Sequence, residues 1–171
     1  MTEQRPVKVA IIGAGMSGLC MAVKLQDAGI DSYTIFEKAE EVGGTWRDNT
    51  YPGLTCDIPS RYYSYSFRPN PNWSHLLPPG PEIEAYFQQV ADERGIQGHI
   101  KFGTEVISAR YDDGRWLLTT THGEETFDVL VTATGVLRVP RCPDIPGEAD
   151  FAGPVFHSSR WDHSVSLADK R

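Results

Sequence analysis

The segment VKVAIIGAGMSG, Val7 to Gly18, constrains the fold of this chain more than any other. Val7 to Ile12 is a nearly continuous apolar run rich in β-branched residues, the pattern of a strand buried on both faces of a parallel sheet. GAGMSG follows at once. LCMAVKLQDAG then has helical spacing: Gly18, Ala22 and Leu25 share one face, Leu19 and Val23 lie beside it, and Gly29 supplies a stop. SYTIFE, Ser32 to Glu37, reads as a second strand. Strand, glycine turn, helix and strand within about 30 residues make a βαβ unit. That unit predicts an α/β fold with a parallel sheet.

Within it, Gly13, Gly15 and Gly18 have G-x-G-x-x-G spacing. The first glycine permits the tight turn, the second lets a pyrophosphate approach the backbone, and the third lets the helix pack on the sheet. The helix N-terminus offers free N–H groups and a positive dipole end to the phosphates. Glu37, at the end of the second strand, is placed to accept hydrogen bonds from ribose hydroxyls. A 2′-phosphate would be repelled by this carboxylate, so FAD or NAD suits the first site better than NADP, although Lys38 next door works against that preference.

Residues 39–81 hold seven prolines and a dense set of aromatics, including Trp46, Tyr51, Tyr62, Tyr63, Tyr65, Phe67 and Trp73. A loop of this length in a compact domain is usually functional, and its aromatic content argues for order. Gly43-Gly44-Thr45-Trp46 is either a second close approach to a cofactor or an ordinary surface turn. Asp57, in CDIPS, reads on its own as a solvated loop acid. PEIEAYFQQVADERG is a helix with Ile83, Phe87 and Val90 on its apolar face and Gly95 at its end. TEVISARYDDGRWLLTTTHGEETFDVLVTATG reads as three strands with turns at DDG and HG, a small antiparallel meander. Ala133-Thr134-Gly135 closes the last strand, as a simple turn or facing a ligand.

Composition narrows the function classes. Length suffices for one domain with a real core, and a net charge of −7 argues against a nucleic-acid surface or adsorption to anionic lipid. No apolar run approaches the ~20 residues that span a bilayer. The N-terminus has no secretory pattern, so a cytoplasmic setting is expected. Cys20, Cys56 and Cys142 lack metal-ligand spacing, and the five histidines show no pairing, so no metal site is expected. Neither G-x-S-x-G nor H-E-x-x-H occurs. Nothing sets the oligomeric state.

Taken in order, GAGMSG, FEKAEEVGGTW, NTYPGLTCDIPSRYYSYSF, VTATG and FAGPVFHSSRWD resemble the N-terminal part of a class B flavoprotein monooxygenase. The subgroup they resemble is the type I Baeyer–Villiger monooxygenases, whose fingerprint F-x-G-x-x-x-H-x-x-x-W followed by Pro or Asp is matched by Phe151, Gly153, His157, Trp161 and Asp162. The related N- and S-oxygenating enzymes usually carry Tyr or Phe where Trp161 stands.

The resemblance implies a Rossmann-like FAD-binding domain over residues 1–150 and, over 151–171, a linker toward an NADPH-binding domain. It implies FAD held by Gly13, Gly15, Ser17 and Gly18 at the pyrophosphate and by Glu37 at the adenosine ribose. Thr45, Trp46 and Tyr63 would lie along the cofactor, with the backbone of Val106 near adenine. Asp57 would sit near the flavin ring and the nicotinamide, and His157 would couple domain movement to catalysis. The implied reaction uses NADPH and O₂ to insert one oxygen atom into a ketone, giving an ester or lactone. N- or S-oxygenation, or FAD binding without oxygenase activity, are the alternatives. The family's second glycine motif is not among these residues, so the 171-residue chain is expected to be a front portion that cannot turn over alone.

Overall fold

A computed structural model describes the chain from Arg5 to Asp169. The expected βαβ unit is formed by β1 (Val9–Ile12), α1 (Met16–Asp27) and β2 (Tyr33–Phe36). The aromatic-rich segment holds one short helix, α2 (Thr45–Asp48), and leads into α3 (Gly80–Glu93). A brief strand, β3 (Ile100–Lys101), precedes β4 (Val106–Asp112), β5 (Arg115–Thr120), β6 (Gly123–Phe127) and β7 (Val129–Thr132). Four strands form a parallel sheet in the order β3-β2-β1-β7, and β4-β5-β6 form a separate antiparallel sheet. The α/β class and the added meander are as the sequence predicts.

Period-two alternation divides the core. Ile11 and Ile35 face the helices and pack with Leu19, Ala22 and Val23 of α1 and with Ile83, Phe87 and Val90 of α3. Their neighbours Ala10 and Phe36 face the other way, against Leu118 and Phe127 of the meander. Phe36 and Phe127 meet edge to face at 5.6 Å. The parallel sheet is therefore covered on both sides, as its unbroken apolar strands require.

The expected count of three strands over residues 104–135 needs correction. Four form, because FDVLVT is divided at Asp128. Its N–H donates to the Lys8 carbonyl at 2.9 Å. Its Oδ2 accepts from the Lys8 N–H at 2.8 Å. Arg5 pairs with the same carboxylate. Gripping β1's approach in this way, Asp128 moves the chain from antiparallel pairing with β5 to parallel pairing with β1. The DDG turn is where the sequence places it, with φ of 44° at Asp113 and 76° at Gly114, as tight hairpins demand.

Residues 39–81 are ordered by their aromatics. Tyr65 stacks on Phe67 at 4.7 Å and leans on Phe87 at 5.7 Å. Its hydroxyl donates to the Met16 carbonyl at 2.6 Å, and its N–H donates to the Tyr86 hydroxyl at 2.9 Å. The loop is thereby tied to the start of α1 and to α3. After β7 the chain runs on with two short 3₁₀ turns, Glu148–Asp150 and Ser158–Arg160, and with Val136, Leu137, Val139 and Phe151 exposed. The first four residues of the expected domain and the last two of the expected linker lie outside the described residues. Among the described residues no helix is long and apolar enough to cross a membrane.

Candidate functional site: a double-glycine cleft at the strand ends

A cavity of about 410 Å³ opens where the carboxyl ends of β1, β2 and β7 meet the loops that follow them. This is where open α/β sheets place ligands. Gly13 begins its floor. Its φ is +103°, its N–H donates to the Phe36 carbonyl at 2.8 Å, and a Cβ there would lie 2.6 Å from the Ala133 carbonyl oxygen. Gly18 sits beneath it, where a Cβ would run into the Gly13 carbonyl oxygen. The two glycines let β1, α1 and β7 converge.

Gly43 and Gly44 form a second glycine turn packed backbone to backbone on the first. The Gly43 N–H donates to the Ala14 carbonyl at 3.1 Å, and a Cβ on Gly44 would come within 3.1 Å of the Gly15 Cα. Both turns line the same cavity, so this pair is no isolated surface turn. α1 starts at the cavity wall with Gly15 as its cap residue and no side-chain cap. Its first internal bond runs from the Leu19 N–H to the Gly15 carbonyl at 3.1 Å. The earlier N–H groups and the positive dipole end face the opening, which suits an anionic group.

Glu37 is buried and joins these parts. Its Oε2 accepts from the Ala14 N–H at 2.9 Å, and its Oε1 accepts from the Ala39 N–H at 3.0 Å. Oε2 has a second lone pair available for a hydroxyl. Arg47 stands 3.4 Å from Oε1. Sequence reasoning passed over Arg47, since a lone arginine in a turn carries no spacing signal.

The opposite wall is aromatic. The Trp46 indole N–H donates to the Tyr63 hydroxyl at 3.0 Å, and the rings meet edge to face at 5.6 Å. Burial pushes the Tyr63 phenol above its ordinary value, which keeps it neutral. Asp57 stands exposed at this rim, after Cys56, whose N–H is held by the Pro78 carbonyl at 2.9 Å.

Gly13, Gly15, Ser17, Glu37, Thr45, Trp46, Asp57, Tyr63 and Val106 thus line one cavity, although they come from widely separated parts of the sequence. Gly18 lies below it, and His157 stands outside its lining. His157 instead caps the turn Ser158–Arg160, its Nδ1 accepting from the Ser159 N–H at 3.1 Å. Trp161 packs edge to face on Phe156 at 5.0 Å. A further tether, Thr50 to His163 at 2.8 Å, joins this segment to the loop after α2. No group of side chains able to hold a metal ion occurs among the described residues.

The fold and cavity define a dinucleotide-binding Rossmann domain. Residues 11–78 match the NAD(P)-binding Rossmann-like domain family. The chain is 56% identical over 172 residues to an uncharacterised monooxygenase of Mycobacterium tuberculosis, covering 100% of this chain and 34% of that protein. It is 48% identical over 167 residues to a Baeyer–Villiger monooxygenase of Streptomyces coelicolor, covering 96% of this chain and 32% of that one. A crystal structure of OTEMO in complex with FAD and NADP superposes with a TM-score of 0.82 at 37% identity, covering 91% of this chain and 30% of the other. Over nearly its whole length the chain is similar to the N-terminal Rossmann portion of Baeyer–Villiger monooxygenases. It spans about a third of the length of the curated relatives it matches.

Proposed function

We propose that this chain forms the FAD-binding part of an NADPH-dependent monooxygenase that inserts one oxygen atom of O₂ into a ketone, giving an ester or lactone. The observation that carries the proposal is the double-glycine cradle with a buried carboxylate at the end of β2. Two backbone turns meet so closely that a Cβ on Gly44 would lie 3.1 Å from the Gly15 Cα, and beside them stand uncapped helical N–H groups and the buried Glu37 carboxylate. That donor and acceptor set fits a dinucleotide with a pyrophosphate and a ribose whose 2′-hydroxyl is free. The complete fingerprint from Phe151 to Asp162, with tryptophan at position 161, supports ketone oxygenation over N- or S-oxygenation.

In this reading Gly13, Gly15 and Ser17 hold the pyrophosphate while Gly18, buried beneath the cavity, serves the packing of α1 on β1 instead of contacting the phosphates; Glu37 holds the adenosine ribose, and the Val106 backbone borders the adenine. Thr45, Trp46 and Tyr63 form a wall along the cofactor, and the indole cannot swing freely because Tyr63 accepts its N–H. Asp57 serves at the flavin and nicotinamide end. Bound FAD would supply redox and oxygen-transfer chemistry that no side chain here offers. The chain's own part is to bind, to orient and to keep water from the reacting groups. His157 lies outside the cavity, consistent with a coupling role through the segment that carries it.

Two measurements test this. Purified protein mixed with FAD should show the absorption of bound flavin after desalting. The enzyme that carries these residues, supplied with NADPH, O₂ and a cyclic ketone, should yield lactone. Sulfoxide from a thioether with no ester from any ketone would assign it to the S-oxygenating relatives instead. Flavin bound without NADPH oxidation by that enzyme would leave a binding module.

A further inference from the structure

We infer that Arg47 is a positioning residue for the cofactor's adenosine ribose, acting through the Glu37 carboxylate; this rests on the FAD reading above. Arg47 is a member of α2 and points inward, with its side chain only 13% exposed. The guanidinium is committed on several sides. Its Nε and one terminal nitrogen donate to Asp48 Oδ1 at 2.9 and 2.8 Å. The other terminal nitrogen donates to the Glu41 carbonyl and lies 3.4 Å from Glu37 Oε1. Three of its five N–H groups are engaged in this way, and its charge lies beside the Glu37 carboxylate. What it offers the site is its hold on Glu37.

Glu37 gains a third contact from Arg47. Its two backbone donors, the Ala14 and Ala39 N–H groups, each take one carboxylate oxygen. Arg47 adds the one side-chain cation within ion-pair distance of it among the described residues. Guanidinium, carboxylate and the first glycine turn thus form a chain: Arg47 to Glu37 Oε1, and Glu37 Oε2 to the Ala14 N–H. Gly43 makes the approach possible, since a Cβ there would lie 3.1 Å from the Arg47 Cβ and 3.4 Å from the Glu84 Cγ. The double-glycine turn therefore does two jobs. Gly44 meets the first turn, and Gly43 lets Arg47 reach under it.

The test is a double-mutant cycle read by FAD affinity, using quenching of flavin fluorescence on the purified chain. Arg47→Met should weaken FAD binding by about 10- to 100-fold, the range seen when a group that orients a ligating side chain is removed. Glu37→Gln should weaken it as well. Arg47→Met added to Glu37→Gln should cost nothing further, because the residue acts only through that carboxylate. Arg47→Met binding FAD as tightly as wild type overturns the inference. Losses that multiply in the double variant also overturn it, since they assign Arg47 a role in holding α2 that is independent of Glu37. Arg47→Lys keeps a cation but loses the fork, and should bind with intermediate affinity. If Arg47→Met does not fold, the lysine variant completes the same cycle, and affinity equal to wild type is again refuting. A wild-type chain that takes up no FAD overturns the FAD reading and this inference with it. Wild-type binding with an unaffected Arg47→Met overturns the inference alone.

Discussion

Replacing Gly13 by alanine should destabilise the domain through two effects that other glycines separate. The backbone at Gly13 has φ of +103°, where an L side chain is strained by roughly 1–3 kcal/mol. The added Cβ would also sit 2.6 Å from the Ala133 carbonyl oxygen, a backbone atom at the end of β7 that cannot turn aside. Overpacking of that kind costs roughly 1–3 kcal/mol. The sum, about 2–6 kcal/mol, is a large share of a typical folding stability of roughly 5–15 kcal/mol. For a chain of this size it should lower the melting temperature by roughly 5–20 °C. Gly29→Ala isolates the strain, since Gly29 has φ of +73° and open space around its Cβ position. It should cost about 1–2 kcal/mol. Gly98→Ala, with neither positive φ nor a neighbour within 4 Å, should stay within about 1 kcal/mol of wild type. Thermal unfolding followed by far-ultraviolet circular dichroism gives the order directly. Gly13→Ala melting within about 2 °C of Gly98→Ala would refute the reasoning, because convergence of β1 and β7 would then not depend on a bare backbone.

Tyr63→Phe removes the acceptor for the Trp46 indole N–H and should cost about 1–2 kcal/mol, with a shifted tryptophan emission and weaker FAD uptake. Unchanged emission would show that the pair does not persist in solution. Glu84, on α3, has its carboxyl raised above the ordinary 4.5, chiefly by burial and then by Glu41, with Arg47 opposing. The folded state therefore binds this proton more tightly than the unfolded state, and stability falls as pH rises through the window above 4.5. Glu84→Gln should thus melt higher than wild type at pH 7, with the gain fading as pH falls toward 4.5. A gain that grows on acidification would contradict this sign. Asp57→Ala, made in the enzyme that carries these residues, should reduce NADPH-dependent product formation far more than FAD content; loss of FAD instead would remove Asp57 from the flavin and nicotinamide end.

Much of the cleft was legible because its signals are local. The GAGMSG spacing needs no knowledge of distant residues, since its glycines answer to a turn and a helix made by the same dozen residues. Glu37 is similarly local, standing at the end of the strand that the same unit supplies. The Gly43-Gly44 turn is the opposite case. Nothing in GGTW says that its backbone meets Gly15, and from spacing alone it reads equally as a surface turn. Tertiary packing decided it.

The strand count shows the same limit from another side. FDVLVT is one apolar run with no turn residue except an aspartate, which commonly marks a solvated position. Asp128 breaks it because Lys8, far off in sequence, presents both a carbonyl and an N–H that match the aspartate's own backbone and carboxylate. Arg47 follows the same logic. A charged residue in a four-residue helix offers no periodicity to read, and its burial follows from the turn between β2 and α2, which wraps Glu37, the Glu41 carbonyl and Asp48 around it. Where a residue's meaning is set by its own neighbours in sequence, the chain can be read directly. Where a distant partner must be delivered by the fold, as Lys8 is to Asp128, or where a turn folds a charge back on its own segment, as at Arg47, only the assembled geometry shows that an ordinary surface-type residue has become a structural joint. For Arg47 that joint reaches the nucleotide site, so a substitution at a position without any motif should be felt in cofactor affinity.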